Sequence, residues 1–220
     1  MPRSLVLYTT SEIIARLKNK AFDLYKDRVI KPYTLSFAHT TPAGPLRMRL
    51  TELVDDCLTG CSEGLTQADT LAYGAPPDSD VRADSFEELF EGAERFTREA
   101  RLQFLSPTIV TLGGFGVPFP VLPLVFSTYI YAWNAFSPKK IPGTASLFEF
   151  IHMTGFKISC VRTPYGPAFQ GWIDLEVKEG RSEEEIRTFN TLCDFAFYCG
   201  TGLHTQEGLG QTRRAAHAKQ

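Results

Sequence analysis

The amino-acid sequence predicts an α+β protein built from two consecutive βαββαβ units. Three observations carry that prediction. Short runs of period two alternate with longer runs of helical period. The order of those runs over residues 1–80 recurs over residues 101–220, although the residues themselves do not repeat. Between the two, "GAPPDSDVRADS" at 74–85 is polar and proline-rich, as a boundary between domains should be.

The first unit begins with "SLVLY" (4–8), a strand. Ser11 can cap a helix whose apolar residues Ile13, Ile14, Leu17, Ala21, Leu24 and Tyr25 follow helical spacing. Pro32 ends it, because proline pushes the residue before it away from helical angles. "YTLSFAH" (33–39) and "PLRMRL" (45–50) read as strands joined by a Pro/Gly turn. In the second, Leu46, Met48 and Leu50 alternate with Arg47 and Arg49, so one face packs and the other presents two cations. A helix over about 53–65 and a strand in "ADTLAYG" (68–74) complete the unit. Residues 81–100 form a linker, with a solvated acidic helix over "SFEELFEGAE" (85–94).

The second unit opens on the strand "RLQFLSPTIV" (101–110). "LVFSTYIYAWNAF" (124–136) is a helix stopped by "SPKKIP". "FKISCVRTP" and "GWIDLEVKE" form a hairpin around "YGPAFQ". "SEEEIRTFNTLCDFAFYCG" (182–200) is a helix with a capping box of Ser182 and Glu185. Its core face is Ile186, Phe189, Cys193 and Ala196, widened by Leu192, Phe195 and Phe197. Gly200 suits the position after the helix, and a short strand around 211–216 closes the unit. Both units therefore have the element order of ferredoxin-like, RRM-like domains.

Composition narrows the function. A hydrophobic fraction of 43% with 17 Phe supports a packed core and argues against disorder. A net charge of −2 counts against a generally basic nucleic-acid binder, but a local basic face would suffice. The cysteines, 57, 61, 160, 193 and 199, are odd in number and follow no secretory signal, so reduced thiols and a cytoplasmic location are expected. Cys57 and Cys61 lack a second metal-spaced pair, and no metal is expected. The most apolar stretch, "VPFPVLPLVFSTYIYAW" (117–133), carries three prolines and falls short of the roughly 20 residues that cross a bilayer. It reads as a buried loop running into a buried helix, with no membrane association.

"CGTGLHTQEGLGQTRR" (199–214) places Gly200, Gly202, Gly208 and Gly210 after a helix. Rossmann and P-loop fingerprints instead precede one, where the helix N-terminus receives phosphate. Two uses remain open. Bare backbone could lie against a polyanion with Arg213 and Arg214 supplying charge, or the segment could be a helix stop and a flexible turn.

As a whole, "FAFYCGTGLHTQEGLGQTRR" resembles the C-terminal signature of the CRISPR-associated RAMP endoribonucleases of the Cas-six type. "KPYTLS" (31–36) resembles that family's K-P-F-T-L-S strand opening, and "LQFLSPTIV" its second-domain first strand. "YAWNAFSP" and "FQGWIDLEV" resemble its helix end and hairpin strand, all in the same order. The resemblance implies tandem ferredoxin-like domains and an endoribonuclease that needs neither metal nor cofactor. Such an enzyme cuts CRISPR precursor RNA within repeats by 2′-hydroxyl attack, leaving a 2′,3′-cyclic phosphate and a 5′-hydroxyl. Its partners are the repeat RNA and the crRNA, with room for other Cas effector subunits or a homodimer. The alternative is an inactive RAMP subunit that holds crRNA in an effector complex. An unrelated RRM-type binding module is disfavoured, because the RNP1 aromatic pattern is missing.

The resemblance also assigns residues. Many relatives carry a catalytic histidine upstream of the K-P-F-T-L-S strand, where "LYKDRVIKPYTLS" has Tyr25. Lys31 matches the lysine before the strand, a natural cation for the transition state. His39 is the candidate base; Tyr25, a phenol of ordinary pKa ≈ 10, suits an acid or orienting role. His204 either touches RNA phosphate or is solvated, His152 packs, and His217 lies in the tail. RNA contacts are expected from Gly200, Gly202, His204, Gly208, Gly210, Arg213, Arg214, Arg47, Arg49 and Lys157, with Arg162, Lys139 and Lys140 in support.

Overall fold

The computed structural model describes residues 3–9, 19, 27–28, 30–36, 39–40, 46–54, 85–142 and 149–215. In the first half β1 (Arg3–Thr9), β2 (Tyr33–Leu35), β3 (His39–Thr40) and β4 (Leu46–Glu52) form an antiparallel sheet with β4 in its middle. The expected strand over 33–39 is broken in two. Leu35 pairs with Leu50 and His39 with Arg47, so the register along β4 slips by one residue between them. Met48 and Leu50 are buried and Arg49 points to the other face, as the alternation predicted. Most of the expected helix over 11–25, most of the helix over 53–65 and the strand over 68–74 lie outside the described residues.

The second half builds β5 (Glu99–Thr108), α2 (Leu122–Phe136), β8 (Ile151–Thr163), β9 (Gly166–Val177), α3 (Glu183–Cys199) and β10 (Thr212–Ala215). Its sheet order, β10-β5-β9-β8 with every pair antiparallel, is the ferredoxin-like arrangement. The core fills the space between this sheet and the helices. Phe104, Phe169 and Ile173 from the strands meet Phe126, Tyr129, Trp133, Phe189 and Phe195 from α2 and α3. Pro123 falls in the first turn of α2, where its missing N–H costs nothing, so the last of three prolines starts the helix instead of interrupting it.

Three expectations change. The acidic helix α1 (Phe86–Glu91) is not solvated all round, because Phe86, Leu89 and Phe90 recur at helical spacing and are buried. Phe86 meets the Trp133 ring edge-on at 5.1 Å, which plants α1 on the second unit. A hairpin of β6 (Val110–Leu112) and β7 (Phe115–Val117), not expected from the sequence, turns at the glycine pair Gly113–Gly114. The β8–β9 hairpin is also longer than expected. Its turn shrinks to Pro164–Tyr165, and most of "YGPAFQ" is strand, because Ala168 and Phe169 belong to the buried face. Among the described residues no helix is long and apolar enough to cross a membrane.

Candidate functional site

The site grows from the glycine-rich segment between α3 and β10. It is a packed loop. A Cβ at Gly202 would stand 2.0 Å from the Ile109 carbonyl oxygen, and one at Gly210 would stand 2.0 Å from that of Thr201. Both positions need a backbone that passes another backbone closely, which no other residue allows. The loop also consumes its own amides. Thr201 N donates to Gly210 O at 2.8 Å, Leu203 N to Ile109 O at 2.9 Å and Gly210 N to Pro107 O at 2.9 Å. The expectation of loose main chain is thereby corrected for Gly200 and Gly210, whose amides are bonded within the fold. Their backbone folds inward, clamped by a buried hydroxyl chain in which Tyr129 meets Thr201 at 2.7 Å and Thr201 meets Thr212 at 2.6 Å.

The loop ends on the junction between the sheets. Gly208 bridges Ser36 at the end of β2, and Gln211 reaches across beside it. Gln211 Nε2 donates to Leu35 O at 2.9 Å, its Oε1 accepts from the Arg49 guanidinium, and its N donates to Ser106 Oγ at 2.9 Å. Arg49 also lies over the Phe197 ring, 4.3 Å from its centroid. Burial, and then the like charge of Arg213, push the Arg49 guanidinium down to about 10. Arg49 is thus half-buried between the sheets, and is not the open phosphate contact that its strand alternation suggested.

Arg214 is also a strut. Its guanidinium donates to Asn190 Oδ1 at 2.7 Å and pairs with Asp194 at 3.3 Å, tying β10 to α3. Asn190 is buried and donates in turn to Glu94 O and Thr97 O at 2.9 and 2.8 Å. Arg213, one residue earlier on the strand, points to the opposite face, is exposed, and donates to Gln103 at 3.0 Å. Lys157 is exposed on β8, opposite Trp172. Lys140 bonds the carbonyls of Asn134 and Ser137 at the end of α2, and Lys139 sits over the Phe90 ring at 3.3 Å, so both serve the fold.

Where the loop meets the first half of the chain, a cavity of ≈ 560 Å³ opens, within the usual range for small-ligand clefts. Lys31, Ile30 and Leu53 line one side, Ser127, Thr128 and Tyr131 of α2 another, and Gly202 to Gln206 the third. Lys31 is partly exposed, and its ammonium donates to Arg28 O at 2.8 Å. His204 shares this wall. Its Nδ1 lies 3.0 Å from Glu207 Oε1, and its ring stacks on Tyr165 with centroids 4.0 Å apart. The Tyr165 hydroxyl donates to the other oxygen of Glu207.

The structure therefore brings together Lys31, His204 and Gly202 around one cavity, and places Arg49 and Arg213 near each other at the neighbouring seam. Tyr25 and the side chains of His39 and Arg47 lie outside the described residues; the backbone of His39 pairs with that of Arg47. Sequence reasoning missed Glu207, Tyr165 and Gln211. Glu207 was findable, three residues after His204 in a turn. Tyr165 was not, since only the β8–β9 hairpin carries it over the loop.

The model of the family described as CRISPR-associated endoribonuclease Cas6 matches residues 102–212, just over half of the 220-residue chain. Among solved structures, a product complex of Thermus thermophilus Cas6 is 25% identical with a TM-score of 0.75, covering 98% of this chain and 99% of that one. A second Cas6 protein in its product complex is 22% identical with a TM-score of 0.76 over 98% and 99% of the two chains. The same protein with a substrate mimic gives 0.77 at 22% identity over 97% and 99%. At these identities the second protein's likeness is one of fold. No curated protein matches the chain.

Proposed function

The chain belongs to the CRISPR-associated endoribonuclease Cas6 family, and from that premise we propose that it cleaves CRISPR repeat RNA without a metal, at the cavity between the glycine-rich loop and Lys31. The single observation that supports this placement is the meeting of Lys31, from the first half of the chain, with the loop from the second across one cleft. In the reaction the 2′-hydroxyl next to the scissile phosphate attacks phosphorus in line. The 5′ oxygen departs, and a 2′,3′-cyclic phosphate and a 5′-hydroxyl result. The phosphorane gains negative charge, and the Lys31 ammonium is the cation at the cavity wall that can meet it. Arg213 offers an exposed cation at the seam along which the RNA backbone would run. His39 and Tyr25, which the sequence offered for proton transfer, have no side chain among the described residues. The product complexes of the two Cas6 relatives fit the same reading.

The test is incubation of the purified protein with repeat RNA in EDTA, followed by end-group analysis. The expected products carry a cyclic phosphate and a 5′-hydroxyl. Tight binding with the RNA left intact would overturn the proposal in favour of a non-catalytic crRNA-holding subunit. Lys31→Ala should slow single-turnover cleavage about 10²-fold, the scale of one lost transition-state donor, while RNA affinity changes little.

A further inference from the structure

His204 is held in a way that a solvated loop residue would not need. Among the described residues it alone, apart from glycines, has a positive φ, at 60°. That left-handed conformation costs a non-glycine residue free energy, and Asn, Asp and His are the side chains found there most often. The strain is offset by contacts on its side chain. Glu207 takes the Nδ1 side at 3.0 Å, Tyr165 stacks on the ring at 4.0 Å, and Tyr165 in turn bonds the second oxygen of Glu207. One carboxylate thus fixes two stacked rings. A neutral imidazole that donates from Nδ1 to a carboxylate leaves Nε2 as the acceptor, the tautomer a general base requires. An oriented base whose far nitrogen is pinned by an acidic partner is a recurring arrangement in nucleophile activation. The His204 side chain is 30% exposed, enough to be reached, and lines the same cavity as Lys31.

Resting on the reading of this cavity as an RNA-cleaving site, we infer that His204 is its proton-transfer residue, with Glu207 and Tyr165 as positioning residues. Nε2 takes the proton of the 2′-hydroxyl as the 2′ oxygen bonds to phosphorus. The bond from phosphorus to the 5′ oxygen breaks, and that oxygen takes a proton from solvent. The imidazolium then returns its proton to solvent, so charge and atoms balance. The titratable groups facing His204 are Glu207 and Tyr165 beside the ring, with Lys31, Tyr131 and Cys199 around the cavity.

Two variants keep the backbone at position 204 relaxed: His204→Gly and His204→Asn. Single-turnover cleavage of repeat RNA should fall at least ~10²-fold in both, the usual weight of general acid–base help. RNA affinity should stay within about threefold, too small a change for a tenfold loss of binding. Added imidazole should restore part of the rate in His204→Gly, which a purely structural role would not allow. The shape of the pH–rate profile should differ between the wild type and His204→Asn. Glu207→Gln should lower the rate while keeping the histidine and gaining nothing from imidazole. Variants that cleave within threefold of wild type, or a rate loss with no imidazole rescue, would overturn the inference. A wild-type protein that binds repeat RNA and never cuts it would instead overturn the functional reading beneath it.

Discussion

At the scale of single residues, Gly202 tests how the loop is built. Alanine there would need a positive φ of 77° and would drive its Cβ into the Ile109 carbonyl. The cost should be about 3 kcal/mol or more, from backbone strain and overpacking together. Urea unfolding should show a lower midpoint for Gly202→Ala, and an unchanged midpoint would mean that the loop is not packed as described. The same residue shows where sequence reading stops. Glycine spacing marks a special backbone, but the oxygen that demands it belongs to another element, so flexible turn and tight crossing look alike in the sequence. Arg213 and Arg214 make the parallel case. Adjacent in sequence, they point to opposite faces of β10, and only the position of Asp194 on α3 decides which one is a strut. The position of Lys31 just before the strand "PYTL" was legible, because that strand is a local signal; its role was suggested only by the family resemblance.

At the scale of elements, the α3 cap was read correctly, and the α1 stripe and the Gly113–Gly114 hairpin were missed. The α3 capping box formed as expected: Ser182 Oγ accepts from Glu185 N, and Glu185 accepts from Ser182 N at 2.9 Å. Ser182→Ala should therefore cost about 1 kcal/mol in urea unfolding and leave cleavage unchanged. The bond from the Ser182 backbone holds the Glu185 carboxyl below its usual range. The folded pKa is the lower one, so this stabilisation is present above the unfolded carboxylate value and is lost as pH falls through the folded value. Unfolding midpoints of wild type and Glu185→Gln should converge in acid. α1 was read with the wrong surroundings, since its acidic residues are conspicuous in sequence and its three-residue apolar stripe is not. Phe86→Ala should cost about 3–5 kcal/mol, as for a buried phenylalanine elsewhere, if its ring is wedged against Trp133 and Phe195. A cost under 1 kcal/mol would return the helix to solvent.

At the scale of the whole molecule, two sheets are joined by a side chain that gave no sign in the sequence. Gln211 is buried, and satisfies Arg49 and the Leu35 carbonyl from the first sheet while its own backbone belongs to the second. Gln211→Ala should destabilise by about 1–3 kcal/mol, because the Arg49 guanidinium loses a partner in a half-buried setting. The element order that predicted two βαββαβ units survives in the second sheet strand for strand, since alternation and helical period are local properties. The meeting of Lys31 with the loop was not legible, because it depends on how the halves pack.

The account stands on a ribose hydroxyl acting as nucleophile at that meeting place. The most direct measurement uses repeat RNA with a single 2′-deoxy nucleotide at the scissile position, in EDTA, beside the all-ribose strand. The account predicts equal binding of the two and cleavage of the all-ribose strand only. Cleavage of the deoxy-substituted strand, or cleavage of the all-ribose strand that requires a divalent ion, would contradict it.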